Sequence, residues 1–212
     1  MTTPASGSLP TLLSLDDATR KLVRVAGIVA AGSESEVRDA LAGASSTVPH
    51  AWIEELLLQT YLFAGFPRSL NAFREWRRHV PVSSVAAAPE MDVAAWTAKG
   101  RETCRAVYGR MYDKLRHNID GLHPALDSWM IVEGYGKVLS RPGLDLPRRE
   151  LCIVAACVAS GQDRQLHSHL HGALNVGVAP AAVREALDSL RSAVSADRLT
   201  AARLLFDRVI GK

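Results

Sequence analysis

Cysteine is scarce in this sequence, which has 212 residues and only Cys104, Cys152 and Cys157. Disulfides persist in oxidising compartments, so three cysteines without a pairing pattern predict a reducing compartment, and we expect the cytoplasm. The spacing of Cys152 and Cys157 fits neither a C-x-x-C redox pair nor a zinc pair. We expect small buried thiols, and the alternative is that Cys157 acts as a single reactive thiol.

An excess of charge and a long apolar run are also missing. The formal net charge is +3, from 25 basic and 22 acidic residues, which is too mild to indicate nucleic-acid binding. The apolar run from Leu22 to Ala31 is short and contains Arg24, so it cannot span a bilayer. The start, M-T-T-P-A-S-G-S-L-P, lacks the charged region and apolar core of a signal peptide. We therefore expect neither a nucleic-acid nor a membrane partner.

Aromatic residues make up 6% of the chain and hydrophobic residues 48%, and no alternating pattern typical of strands occurs. This composition predicts a close-packed, all-α protein. Ser14 is the expected cap of a first helix ending near Ala31, and Ser33 and Glu36 form a capping box for a second. We expect Gly100 to interrupt the chain between two further helices.

The most informative stretch, from Arg141 to Gly177, predicts two antiparallel helices joined at Ser160-Gly161. Pro147 suits the first turn of one helix, and Gly177 suits the end of the other. Counting about 1.5 Å per residue from the turn, Glu150 and His169 fall within roughly one helical turn of the same level. A carboxylate and an imidazole could therefore face each other, as in general acid/base catalysis, or form a buried pair that only satisfies itself.

The stretch resembles the carboxymuconolactone decarboxylase family, which also contains the AhpD-like alkylhydroperoxidases. The matching segments are S-R-P-G-L-D-L-P-R-R-E-L, Q-L-H-S-H and G-A-L-N-V-G-V. Glu150 and His169 fall on the family's glutamate and histidine, whereas Gln162 and Gln165 occupy the two redox cysteine positions of the AhpD branch. The resemblance thus favours the decarboxylase side over a dithiol peroxidase.

The resemblance implies a lyase that removes CO2 from a small carboxylated lactone or related acid and needs no cofactor. His169 would be the acid/base and Glu150 would orient it. The alternatives are a peroxidase-related protein that has lost its redox cysteines and a non-catalytic oligomeric scaffold. Two-repeat members of the family imply a homo-oligomer, a trimer or hexamer.

Further polar residues are candidates for substrate binding: Arg141, Arg164, Gln162, Gln165 and His167. Guanidinium groups pair with carboxylates, so Arg141, Arg164 or Arg68 could bind substrate, or each could be a structural ion-pair partner. Gln162 and Gln165 could line a pocket or simply start a helix. His167 and His171 share a helix face without an obvious third ligand, so we expect no metal site.

An internal duplication is suggested by residues 50–79, which repeat the helix–glycine–helix plan at an offset of 96 residues. Glu54, or Glu55 one position out, aligns with Glu150, and Phe73 takes the place of His169. We therefore predict a disordered lead-in (1–10), a degenerate first repeat (11–80), a linker (81–90) and a second repeat with the site (91–212).

Overall fold

The computed structural model describes residues 12–82 and 92–211, and the fold over these residues is all-α, as predicted. The expected lead-in, residues 1–10, lies outside the described residues, as does most of the expected linker. Within the described ranges there is no strand, and Leu12 and Val178 form an isolated parallel bridge. No helix in those ranges is long and apolar enough to cross a membrane.

The first part of the chain forms four helices, which are α1 (Asp17–Ala31), α2 (Glu34–Ala44), α3 (His50–Ala64) and α4 (Phe66–Trp76). The second part begins with α5 (Val93–Tyr108), a 3-10 turn (Gly109–Met111), α6 (Tyr112–Leu122) and α7 (Pro124–Trp129). A π-helical segment (Met130–Leu139) follows, and then α8 (Leu146–Ser160), α9 (Asp163–Asn175), α10 (Pro180–Asp188) and α11 (Ala196–Val209).

Local capping explains most of the helix starts. The predicted capping box is present, because the Ser33 hydroxyl accepts from the Glu36 N–H and the Glu36 carboxylate accepts from the Ser33 N–H. The predicted cap at Ser14 is wrong. Asp16 caps α1 instead, its carboxylate accepting from the Thr19 N–H at 2.6 Å. An aspartate is as good a cap as a serine, so composition alone could not choose between them.

The expected break at Gly100 is also wrong, since α5 runs through it without interruption. This glycine serves close packing against the π-helical segment. A Cβ on Gly100 would lie 2.1 Å from the Ile131 carbonyl oxygen, and one on Gly136 would lie 2.1 Å from the Trp96 carbonyl oxygen. The two backbones can approach this closely only because both residues lack a side chain.

Helix α8 is the centre of the core. It packs against α1, α3 and α9, and every residue from Arg149 to Val158 is buried. The sequence there is apolar all round, which is typical of a helix that neighbours cover on every side. Consequently any polar side chain in this segment needs a partner inside the protein.

Candidate acid/base site

The structure joins the two residues at the centre of the sequence prediction. His169 Nδ1 lies 2.9 Å from Glu150 Oε2, a hydrogen bond between α9 and α8. Both side chains are buried, because Glu150 is 0% exposed and His169 is 5% exposed. The prediction that Glu150 and His169 lie at the same level of the two helices is therefore confirmed. The carboxylate is bonded to Nδ1 of the imidazole.

The turn between the two helices sets this register. Gly161 ends α8 in the left-handed conformation with φ of 73°, which glycine adopts without strain. Asp163 is the first residue of α9, and its carboxylate accepts from Arg198 at 2.9 Å. Pro147 stands in the first turn of α8, with Asp145 as the cap. These local features fix how far each helix runs from the turn, and so where Glu150 meets His169.

Aromatic side chains enclose the imidazole. Phe63, from the last turn of α3, meets His169 edge-on with ring centroids 5.6 Å apart. Tyr108, the last residue of α5, meets it at 6.4 Å, and Tyr135 of the π-helical segment meets Tyr108 at 6.1 Å. No pattern in the sequence assigned a role to these three residues. No spacing rule connects them to His169, since tertiary packing alone brings them together.

Glu150 has one oxygen without a partner. Oε1 is buried and makes no hydrogen bond to the described residues, whereas Oε2 is bonded to His169. A buried acceptor without a donor is costly, and such atoms are uncommon in proteins. Oε1 is therefore an acceptor that a water or a ligand carrying a hydrogen could satisfy.

The nearby cysteines are poor nucleophiles. Burial raises the pKa of the Cys157 thiol to about 12, and the negative charge of Glu150 acts in the same direction. Burial likewise raises the pKa of Cys104 to about 12. Burial also raises the pKa of Cys152. The expectation of buried thiols is confirmed, and the geometry disfavours Cys157 as an unassisted reactive thiol.

Arg141 is held in a separate ion-pair network. Its Nε and Nη2 donate to the Glu55 carboxylate at 3.0–3.1 Å. Arg149, which is 0% exposed, donates to the same carboxylate at 2.7 Å and to Gln59 at 3.1 Å. Arg68 is also engaged, since its Nη1 donates to the carbonyl oxygens of Val29 and Gly32 at the end of α1. The contacts of Arg141 and Arg68 therefore support a structural role for both arginines rather than substrate binding.

The remaining candidates for substrate binding lie on the surface of α9. Gln162, Arg164, Gln165 and His167 are all exposed, and no hydrogen bond in the described structure links their side chains to Glu150 or His169. The structure does not place these four beside the buried pair. Substrate binding by these four residues stays a prediction, and it would take place on the outer face of α9.

His167 and His171 face each other with ring centroids 4.9 Å apart. Burial, His167 and Arg110 together lower the pKa of His171. Within residues 12–82 and 92–211, no group of three or more His, Cys, Asp or Glu side chains could hold a metal ion. We therefore read this pair as a surface feature of α9.

Comparison with known proteins agrees with this geometry. Residues 128–208 match the sequence model of the Carboxymuconolactone decarboxylase family, a span that includes α8, α9, Glu150 and His169. Over this segment the chain is similar to the carboxymuconolactone decarboxylase family. The family segment also includes Tyr135 and the π-helical segment, but α3 and α5, which supply Phe63 and Tyr108, lie before it.

One curated relative is Peroxisomal protein 2 of Schizosaccharomyces pombe, which is 30% identical over 129 residues. The match covers 59% of this chain and 60% of the relative, so the chain spans less than two thirds of the relative's length.

Proposed function

We propose that this protein is a general acid/base enzyme in which His169 exchanges a proton with a small substrate and Glu150 orients the imidazole. The observation that carries the proposal is the 2.9 Å hydrogen bond from His169 Nδ1 to Glu150 Oε2. It fixes the ring through Nδ1 and leaves Nε2 as the nitrogen that can exchange a proton with substrate.

Similarity to the carboxymuconolactone decarboxylase family over residues 128–208 favours decarboxylation of a small lactone acid as the reaction. The bond between the ring carbon and the carboxylate breaks, CO2 leaves, and the electron pair is delocalised into the conjugated lactone as a dienolate. The imidazolium of His169 then gives its Nε2 proton to carbon, and the neutral ring is reprotonated from solvent. Overall, the reaction consumes one carboxylate and one proton and releases one CO2. It therefore needs no external oxidant or reductant.

A second candidate, the non-catalytic oligomeric scaffold, is favoured by one observation. Phe63 and Tyr108 cover His169, and the pair is almost fully buried. In a pair sealed in this way, the two side chains can simply satisfy each other's hydrogen-bonding groups without taking part in any reaction. Against this stands the orphaned Glu150 Oε1, because a pair that exists for stability should not leave a buried acceptor unpaired. For catalysis, the aromatic cover must move to admit substrate.

The peroxidase-related alternative has less support from the geometry. Its thiol would have to be Cys104, Cys152 or Cys157, and burial raises the pKa of all three. A thiol must ionise to attack a peroxide, and these environments oppose the thiolate. Replacing the cysteines by serine, with turnover intact, would end this alternative.

Self-association is part of the proposal. Four large apolar side chains are exposed on or beside α6 and α7, namely Met111, Leu122, Leu126 and Trp129. Apolar groups gathered on one part of a surface commonly mark a protein contact. We expect a trimer or hexamer, which sedimentation equilibrium would measure. Trp129→Ser should shift the distribution towards monomer, whereas Leu204→Ser on α11 should leave it unchanged.

The compartment can be tested separately. Scarce cysteine led us to propose the cytoplasm, while the relative from Schizosaccharomyces pombe is named for the peroxisome. A fluorescent fusion imaged with a peroxisomal marker distinguishes the two locations.

The decisive experiment measures CO2 release from carboxymuconolactone and related lactone acids. Wild type, His169→Ala and Glu150→Gln are compared with His117→Ala, which alters an exposed histidine on α6. We expect release by wild type and His117→Ala, and a loss of about a hundredfold or more in His169→Ala. Activity that survives His169→Ala would refute the assigned acid/base. If no lactone acid is decarboxylated, the lyase assignment is wrong.

A further inference from the structure

The proposed reaction places negative charge on a substrate oxygen, and this oxygen needs a hydrogen-bond donor. The arginines suggested by sequence are engaged elsewhere or exposed: Arg141 is paired with Glu55, and Arg164 lies on the surface of α9. Interactions with developing charge are worth most in an enclosed site of low dielectric constant. A donor should therefore be sought among the residues that enclose His169.

Tyr108 stands in the right place. Its ring meets the His169 ring at 6.4 Å between centroids, with an angle of 62° between the planes. The end of α5 is held there by Asn175, whose Nδ2 donates to the Val107 carbonyl oxygen at 2.8 Å. Asn175 and His169 both belong to α9, so one helix positions the imidazole and the tyrosine together.

The chemistry of Tyr108 suits a donor. Burial raises its pKa, and the Glu150 carboxylate adds to that effect, so the phenol stays protonated at neutral pH. The neighbouring Tyr135, whose ring centroid lies 6.1 Å from that of Tyr108, lowers the pKa of Tyr108 and so acts the other way. In the described structure, Tyr108 gives its own hydroxyl hydrogen to no carboxylate or carbonyl oxygen. That proton is available to a ligand.

A second observation concerns the carboxylate of Glu150. Glu150 Oε1 is buried and unpartnered, while Oε2 is held by His169. The neighbourhood of the imidazole thus contains an unused donor, the Tyr108 hydroxyl, and an unused acceptor, Glu150 Oε1. A ligand with a carbonyl or enolate oxygen would use the donor, and a ligand or water carrying a hydrogen could satisfy the acceptor.

We propose that Tyr108 is a further catalytic residue, whose hydroxyl donates a hydrogen bond to the substrate oxygen on which negative charge develops. Tyr135 packs edge-on against Tyr108, and Asn175 positions the end of α5. No proton leaves Tyr108 in this step, since proton exchange belongs to His169. The inference rests on the general acid/base function proposed above and extends it by assigning the group that stabilises the enolate-type anion.

The test uses 4-nitrophenolate as a stable mimic of such an anion, with binding followed by its absorbance. Tyr108→Phe removes one hydroxyl, Tyr135→Phe removes the hydroxyl of the tyrosine packed against it, and Tyr61→Phe removes a half-buried hydroxyl that lies 3.5 Å from Glu133. A hydrogen bond to a charged group contributes about 1.5–3 kcal/mol, so Tyr108→Phe should weaken binding about tenfold to a hundredfold. Tyr135→Phe should weaken it less, and Tyr61→Phe should bind as wild type does.

Turnover gives a second measure. If a lactone acid is decarboxylated, Tyr108→Phe should lower kcat by a similar factor with little change in KM, because the contact forms mainly in the transition state. Equal binding by wild type and Tyr108→Phe, or no binding by wild type, overturns the role of Tyr108. Binding that depends on Tyr108 without decarboxylation of any lactone acid supports this inference while refuting the lyase. Equal decarboxylation by wild type and Tyr108→Phe supports the lyase while refuting this inference.

Discussion

Gly172 leaves the space that the Glu150 carboxylate occupies. A Cβ on residue 172 would lie 2.6 Å from Glu150 Oε2 and 2.8 Å from Val107 Cγ1. Gly172 is one helical turn beyond His169 on α9, so the helix that carries the imidazole also makes room for its partner. The hydrogen bond between Glu150 and His169 therefore depends on a residue that makes no polar side-chain contact itself.

The first prediction follows from this contact. Gly172→Ala should push the carboxylate away from His169, lower activity and destabilise the fold by about 1–3 kcal/mol, as overpacking in a core does. Urea unfolding and the CO2 assay measure the two effects. Gly121→Ala is the matched control, since nothing lies within 4 Å of its Cβ position in α6. The control should be neutral or more stable by about 0.5–1 kcal/mol. A Gly172→Ala protein as stable and active as the control would contradict the argument.

The second prediction concerns the buried ion-pair network. Glu55→Ala would leave Arg149, which is 0% exposed, without its carboxylate. Removing one partner of a buried pair typically costs about 3–5 kcal/mol, which urea unfolding can resolve. Glu102→Ala breaks an exposed pair with Lys99 and should cost less than about 1 kcal/mol. Similar losses for the two variants would show that the network contributes no more than a surface pair.

The third prediction concerns thiol reactivity. With pKa values near 12 for Cys104 and Cys157, against 9.0 for an unperturbed thiol, the thiolate fraction at neutral pH falls about a thousandfold. We expect the native protein to react with a thiol reagent such as dithiobisnitrobenzoate only as fast as it unfolds. Urea-unfolded protein should react at once. Rapid modification of Cys157 in the folded protein would revive the reactive-thiol alternative.

The fourth prediction is a loss of stability in alkali. Burial raises the pKa of the three cysteines and of Tyr108 and Tyr135 above the values expected in an unfolded chain. As pH rises above about 9, the unfolded chain releases protons that the native state keeps, so the free energy of unfolding falls. Tyr135→Phe removes one such group and should make this decline shallower. Urea unfolding across that range measures the slope, and an unchanged slope would count against the burial of this phenol.

The sequence by itself determined the all-α class and the position of the Glu150–His169 pair. Both depend on features that operate over a few residues: apolar periodicity, a glycine at the turn, and a fixed rise per residue counted from it. It also identified the capping box at Ser33. The predictions for Ser14 and Gly100 were wrong. Serine and aspartate are both good helix caps, and a glycine can either end a helix or allow close packing. The local sequence does not distinguish these possibilities, because the outcome depends on the neighbouring backbone.

Only the tertiary structure decided what surrounds the pair. Phe63, Tyr108 and Tyr135 come from three separate segments, and no local pattern relates their spacing to His169. Arg141 could equally have bound substrate or protein until Glu55, 86 residues away in the chain, was seen to occupy its guanidinium group. Side-chain partners far apart in sequence depend on how the helices pack, and packing is a property of the whole core.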